Sequence, residues 1–136
     1  MSIDTATLGR TVFLETDMDT ALEKVAGALK DEGFGILTEI DVKKTLKAKI
    51  DVDFRPYRIL GACNPPLAYR ALSAASQVGL LLPCNVTVSE IGLNQVEVSI
   101  IDPLAMLSLV DDPELQAVAK EAKERLERVA SALEEN

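Results

Sequence analysis

The C-terminal segment "DPELQAVAKEAKERLERVASALEE" constrains the fold more than any other stretch of this chain. Asp112 and Pro113 open a long helix in which Leu115, Val118, Ala119, Ala122, Leu126, Val129, Ala130 and Leu133 fall on one side. Such a stripe has to be buried against another layer, and what precedes it is rich in strands. "CNVTVSEI" and "QVEVSII" alternate as two strands joined by a "GLN" turn of hairpin type.

Upstream, "RTVFLET" reads as a first strand. Asp17 or Asp19 then caps a helix with Leu22, Val25, Ala26 and Leu29 on its apolar face, and Gly33 ends it. "FGILTEI" follows as a second strand. Asp41 caps a short helix, "VKKTLKAKI", in which Val42, Leu46 and Ile50 are expected to face inward. Lys43 and Lys44 sit in its first turn, where the helix dipole disfavours cations. "RPYRILGAC" gives a third strand, Asn64 an N-cap, and Pro65 and Pro66 the opening of "LAYRALSAAS". "DPLAMLSLV" adds a turn and a short helical piece before the last helix.

The order β-α-β-(α)-β-α-β-β-α predicts a single α+β domain over residues 1–136: a two-layer sandwich with a mostly antiparallel five-stranded sheet and helices on one face. In the third strand Tyr57, Ile59 and Gly61 share one parity and Leu60 and Ala62 the other. Apolar residues on both faces point to a second face that is not fully wet, so a partner subunit is expected to cover it and the chain to form a homodimer.

Composition excludes several functions. There is no histidine, which removes Ser-His-Asp and Cys-His catalysis and the usual mixed zinc sites. The net charge of −8 argues against nucleic-acid binding. It is unevenly spread. From Asp41 to Arg70 there are seven basic residues (Lys43, Lys44, Lys47, Lys49, Arg55, Arg58, Arg70) against three acidic ones, a local +4. The plain reading is a solvated lysine face, and the alternative is an anion site. Glu39, Asp41, Asp51 and Asp53 read as caps, turns and partners for those lysines. No stretch approaches the length of a membrane span, and the opening "MSIDTATLGRTVF" lacks a leader pattern, so a cytoplasmic location is expected.

Two Cys-Asn pairs beside proline hold the only cysteines, Cys63 and Cys84. They read as strand-end corners on one rim of the sheet, close in space and without a disulfide. As structure, both are small buried residues. As a site, Cys63 lies just before a helix N-terminus, where Arg55, Arg58 or Arg70 would favour its thiolate. Their spacing is no metal motif, so no metal site is predicted, and no cofactor is identified.

"GFG-LTEIDVK" at residues 33–43, "Y-ILGACNP" at 57–65 and "GLLLPCNV" at 79–86 closely resemble the domain-of-unknown-function 302 family, and the resemblance extends over essentially the whole chain. It implies a small soluble bacterial or archaeal protein with a TATA-binding-protein-like α+β sandwich, often dimeric, and it supplies no reaction. Two functions follow. The first is a dimeric module binding a small anionic or amphipathic ligand, with Tyr57, Arg58, Cys63, Asn64, Arg70, Cys84, Asn85 and Lys43 as candidate contacts. The second is a thiol protein using Cys63 and Cys84 for redox, sulfur-transfer or soft-metal work. Catalytic residues are not assigned, and whether the chain is an enzyme stays open.

Overall fold

The structure is a computed structural model and describes residues 8–135. Residues 1–7 of the stretch read for a leader lie outside the described residues.

Five strands form one antiparallel sheet in the order β1-β5-β4-β3-β2. They are β1 (Gly9–Leu14), β2 (Gly35–Asp41), β3 (Tyr57–Cys63), β4 (Cys84–Gly92) and β5 (Gln95–Ile101). Between and after them come α1 (Met18–Asp31), α2 (Val42–Ile50), α3 (Pro65–Ala74), α4 (Pro103–Leu107) and α5 (Pro113–Glu134). A 3-10 helix over Ser76–Leu81, not anticipated from the sequence, links α3 to β4. The architecture is the expected α+β two-layer sandwich.

The helix starts follow local chemistry. Asp17, Asp41, Asn64, Asp102 and Asp112 each accept backbone N–H groups of the turn they open. Gly33, at φ +84°, carries the left-handed turn out of α1, and its N–H donates to the Lys30 carbonyl. Asn94, at φ +53°, turns the β4–β5 hairpin.

Strand register decides which side chains meet the helices. Val12 and Leu14, Val96, Val98 and Ile100, Val86 and Val88, and Leu60 and Ala62 share one face and pack with α1 and the C-terminal half of α5. A second apolar cluster joins Leu67 and Ala71 of α3, Val78, Leu107, and Leu115, Val118, Ala119 and Ala122 from the N-terminal half of α5. The stripe on α5 therefore serves two cores in succession.

One expectation is corrected. α2 spans the predicted residues and is capped by Asp41, yet it buries none of them, and Ile50 is 62% exposed. The helix is anchored through its polar side instead: Lys43 Nζ donates to the Phe54 carbonyl at 2.8 Å, and Lys47 pairs with Asp51 and Asp53.

Candidate functional site

Where the two cores meet, they leave a cavity of about 310 Å3. The end of β3 and the start of β4 bring Ala62, Cys63 and Cys84 to it. Asn64 and α3 add Leu67, Ala68 and Ala71, and α5 adds Val118 and Ala122. Phe34, Leu37 and Thr38 close it on the β2 side, and Pro83, Pro103 and Leu107 complete the wall. Apart from Asn64, Thr38, the thiols and the Met106 thioether, the lining is hydrocarbon. Its size falls at the small end of ligand-binding cavities.

Backbone pairing explains how both cysteines reach the same wall. Ala62 stands opposite Cys84 in the β3–β4 ladder, so Cys63 is one residue beyond the pairing point, at the strand end. Neither is in a disulfide; Cys84 is buried and Cys63 partly exposed. Burial, with a smaller contribution from Cys63, pushes the Cys84 thiol up from 9.0 to about 11. That is the wrong direction for a nucleophilic thiolate.

Asn64 is 8% exposed, and its side-chain oxygen accepts the Leu67 N–H at 3.2 Å as the cap of α3. Gly61, on β3, allows the rim to close. A Cβ there would collide with the Thr38 hydroxyl and come within 2.7 Å of Pro83 Cγ.

Of the eight candidate contacts, Cys63, Asn64 and Cys84 share this cavity. The other five do not. Arg58 lies at the far end of β3, paired with Glu39 at 2.8 Å and Asp41 at 3.4 Å. Arg70 projects from α3 to Glu114 and Glu121, and its pKa is raised chiefly by the Glu114 hydrogen bond. Lys43 holds the Phe54 carbonyl. Arg55 lies with its Cζ 4.6 Å from the Phe54 ring centroid and donates to Ser89 Oγ at 2.8 Å. None of Arg55, Arg58 and Arg70 therefore lines the cavity beside Cys63. Sequence reasoning missed Leu67, Ala71, Val118 and Ala122 as site residues, because each reads as ordinary core.

Tyr57 and Asn85 lie on the opposite face of the sheet, away from the main core. There Thr11, Phe13, Thr87, Glu97 and Ser99 form a shallow groove with them. Thr11 and Ser99 hydroxyls hydrogen-bond at 2.8 Å, and Phe13 is 65% exposed. Among the described residues no group of three or more Cys, Asp or Glu side chains is placed to hold a metal ion. No helix among them is long and apolar enough to cross a membrane.

No curated protein matches the chain. The crystal structure of an uncharacterized conserved DUF302 protein from Bacillus stearothermophilus is similar to it. That structure has a TM-score of 0.83 and 31% sequence identity, covering 93% of this chain and 98% of the other. Residues 10–133 match the family described as Domain of unknown function DUF302, the family whose phrases the sequence carries at 33–43, 57–65 and 79–86. The chain belongs to that family.

Proposed function

We propose that this protein is a small-ligand-binding module whose ligand enters the cavity at the seam of the two cores. The observation that carries the reading is the cavity itself: about 310 Å3 of open, hydrocarbon-walled space inside a small domain. Protein interiors are close-packed, and side chains that line a half-open space of this size forfeit the contacts they would make in a filled core. An apolar wall favours the amphipathic ligand over a purely anionic one, since the lysines of α2 lie elsewhere. Native mass spectrometry of gently purified protein tests it. A bound small molecule released on denaturation is the expected result. Apo protein that also fails to enhance the fluorescence of anilinonaphthalene sulfonate overturns the reading.

The module is proposed to be a homodimer. Phe13 and Ile40 expose apolar surface on the face of the sheet away from the main core, where Ile40 pairs with the half-buried Ile59 across β2 and β3. Sedimentation at micromolar concentration is expected to give twice the 14.7 kDa chain mass, and the single-chain mass ends the claim. The thiol reading keeps one supporting observation, the two free cysteines in a shared wall. It would rest on Cys63, the partly exposed one of the pair.

A further inference from the structure

Asn64 has capacity beyond its cap. Its oxygen is engaged by Leu67, which assigns the other end of the carboxamide as Nδ2, and the Nδ2 hydrogens have no acceptor among the described residues. No fully enclosed side-chain nitrogen or oxygen among those residues lacks a partner, so these donors are open to a molecule beside them. The space next to them is kept by Gly33: a Cβ there would lie 3.0 Å from Nδ2 and 3.8 Å from Arg125 Nη1. Arg125 is held in place by its bonds to the Glu32 carbonyl and Glu121. Asn64, the one amide in the cavity lining, thus carries free donors; Gly33 and Arg125 beside them lie outside that lining, and Arg125 is paired with Glu121.

Resting on the cavity-binding reading above, we infer that the ligand is a single-chain amphiphile of medium length ending in a carboxylate. Its head accepts from Asn64 Nδ2, and its chain occupies the space between α3 and α5. The volume fits the chain. At roughly 30 Å3 per methylene, about the share of a water molecule in the liquid, 310 Å3 holds on the order of ten carbons. The donor selects the head group: a carboxylate accepts from it, whereas an ammonium, itself only a donor, would leave the amide hydrogens unmet.

The test uses decanoate, well below its micellar concentration, with decylammonium as the mismatched head and anilinonaphthalene sulfonate as a reporter of the cavity. Titration calorimetry and reporter displacement read the binding. Asn64→Asp keeps the oxygen that caps α3 and replaces the donor with a second acceptor oxygen. The wild-type protein is expected to prefer decanoate. Asn64→Asp should weaken decanoate by about tenfold or more, the size of one charge-assisted hydrogen bond, while decylammonium binds no worse. Thermal unfolding establishes that the variant is folded. If it is not, Asn64→Ser, a cap without a donor of that reach, must weaken decanoate in the same direction. Equal decanoate affinity in a folded variant and the wild type overturns the head-group assignment and leaves the cavity reading standing. A wild-type protein that binds none of the three probes removes both.

Discussion

Filling the cavity should stabilise the protein while removing its capacity to bind. Ala122 is 6% exposed, lines the cavity from α5, and belongs to the second core. Ala122→Leu adds roughly three methylene equivalents at ~0.8 kcal/mol each, or about 2.4 kcal/mol. Ordering the leucine side chain returns about 0.5–1 kcal/mol, leaving a net gain near 1.5 kcal/mol. Leucine is nearly as good a helix former as alanine, so α5 itself loses little. For a chain of 136 residues each kcal/mol moves the melting temperature by roughly 3–4 °C, so a rise of about 5 °C is expected. The chain has no tryptophan, which makes far-UV circular dichroism in a urea and a thermal series the suitable assay. Decanoate uptake should fall in the same variant. A well-packed interior predicts the opposite sign, because extra methylenes there cost about 1–3 kcal/mol. A melting temperature lowered by several degrees, with an unchanged urea slope, would show that the space is not there and refute the reasoning.

Leu126, 3% exposed in the main core, should tolerate a charge far less than its helix neighbour Lys123. Leu126→Asp is expected to cost about 4 kcal/mol or more, whereas Lys123→Asp loses a part-exposed pair with Asp102 worth about 1 kcal/mol. Equal melting temperatures would show that α5 presents a different face. Gly61→Ala should cost about 1–3 kcal/mol by forcing Thr38 and Pro83 apart, and an unchanged urea midpoint would contradict the close approach at that position. Stability should also fall at alkaline pH through Cys84. Its folded thiol titrates at about 11 against 9.0, so above pH 9 the unfolded chain releases a proton that the folded chain keeps. The loss amounts to about 3 kcal/mol once pH passes 11, at roughly 1.36 kcal/mol per unit. Cys84→Ala should flatten the stability profile between pH 9 and 11, and an identical slope in variant and wild type would place Cys84 in contact with water.

What was legible in the sequence was local. The N-cap oxygens of Asp41, Asn64 and Asp112 act on N–H groups within three residues, so the helices they open start where the sequence places them. The stripe on α5 was legible for a similar reason, because its residues report their own spacing. Ile50 was misread because the same spacing says nothing about whether a layer lies opposite. α2 buries no residue, and its apolar positions stay wet or half-wet. The candidate site divided along the same line. Cys63, Asn64 and Cys84 came together because adjacent antiparallel strands carry them to one rim. Arg58 and Arg70 were drawn away by carboxylates 19 and 44 residues distant in sequence, Glu39 and Glu114, pairings that no local pattern encodes.

The cavity has a cause in composition that becomes visible only after folding. Aromatic residues make up 4% of the chain, so few side chains are large enough to bridge a gap between two cores. At the seam, the wall is furnished by Ala62, Ala68, Ala71 and Ala122, from β3, α3 and α5. Each alanine on its own is an unremarkable core or helix residue, and Ala122 even supports α5 through its propensity. Opposed across one space, they leave room that a leucine at one of these positions would occupy with a gain in stability. A domain needing only to stay folded has nothing to gain from that room. A domain holding a hydrocarbon chain there recovers the missing contacts when the ligand binds, and its stability then rises with ligand concentration. The melting temperature of the wild-type protein should therefore climb with added decanoate, and that of Ala122→Leu should not.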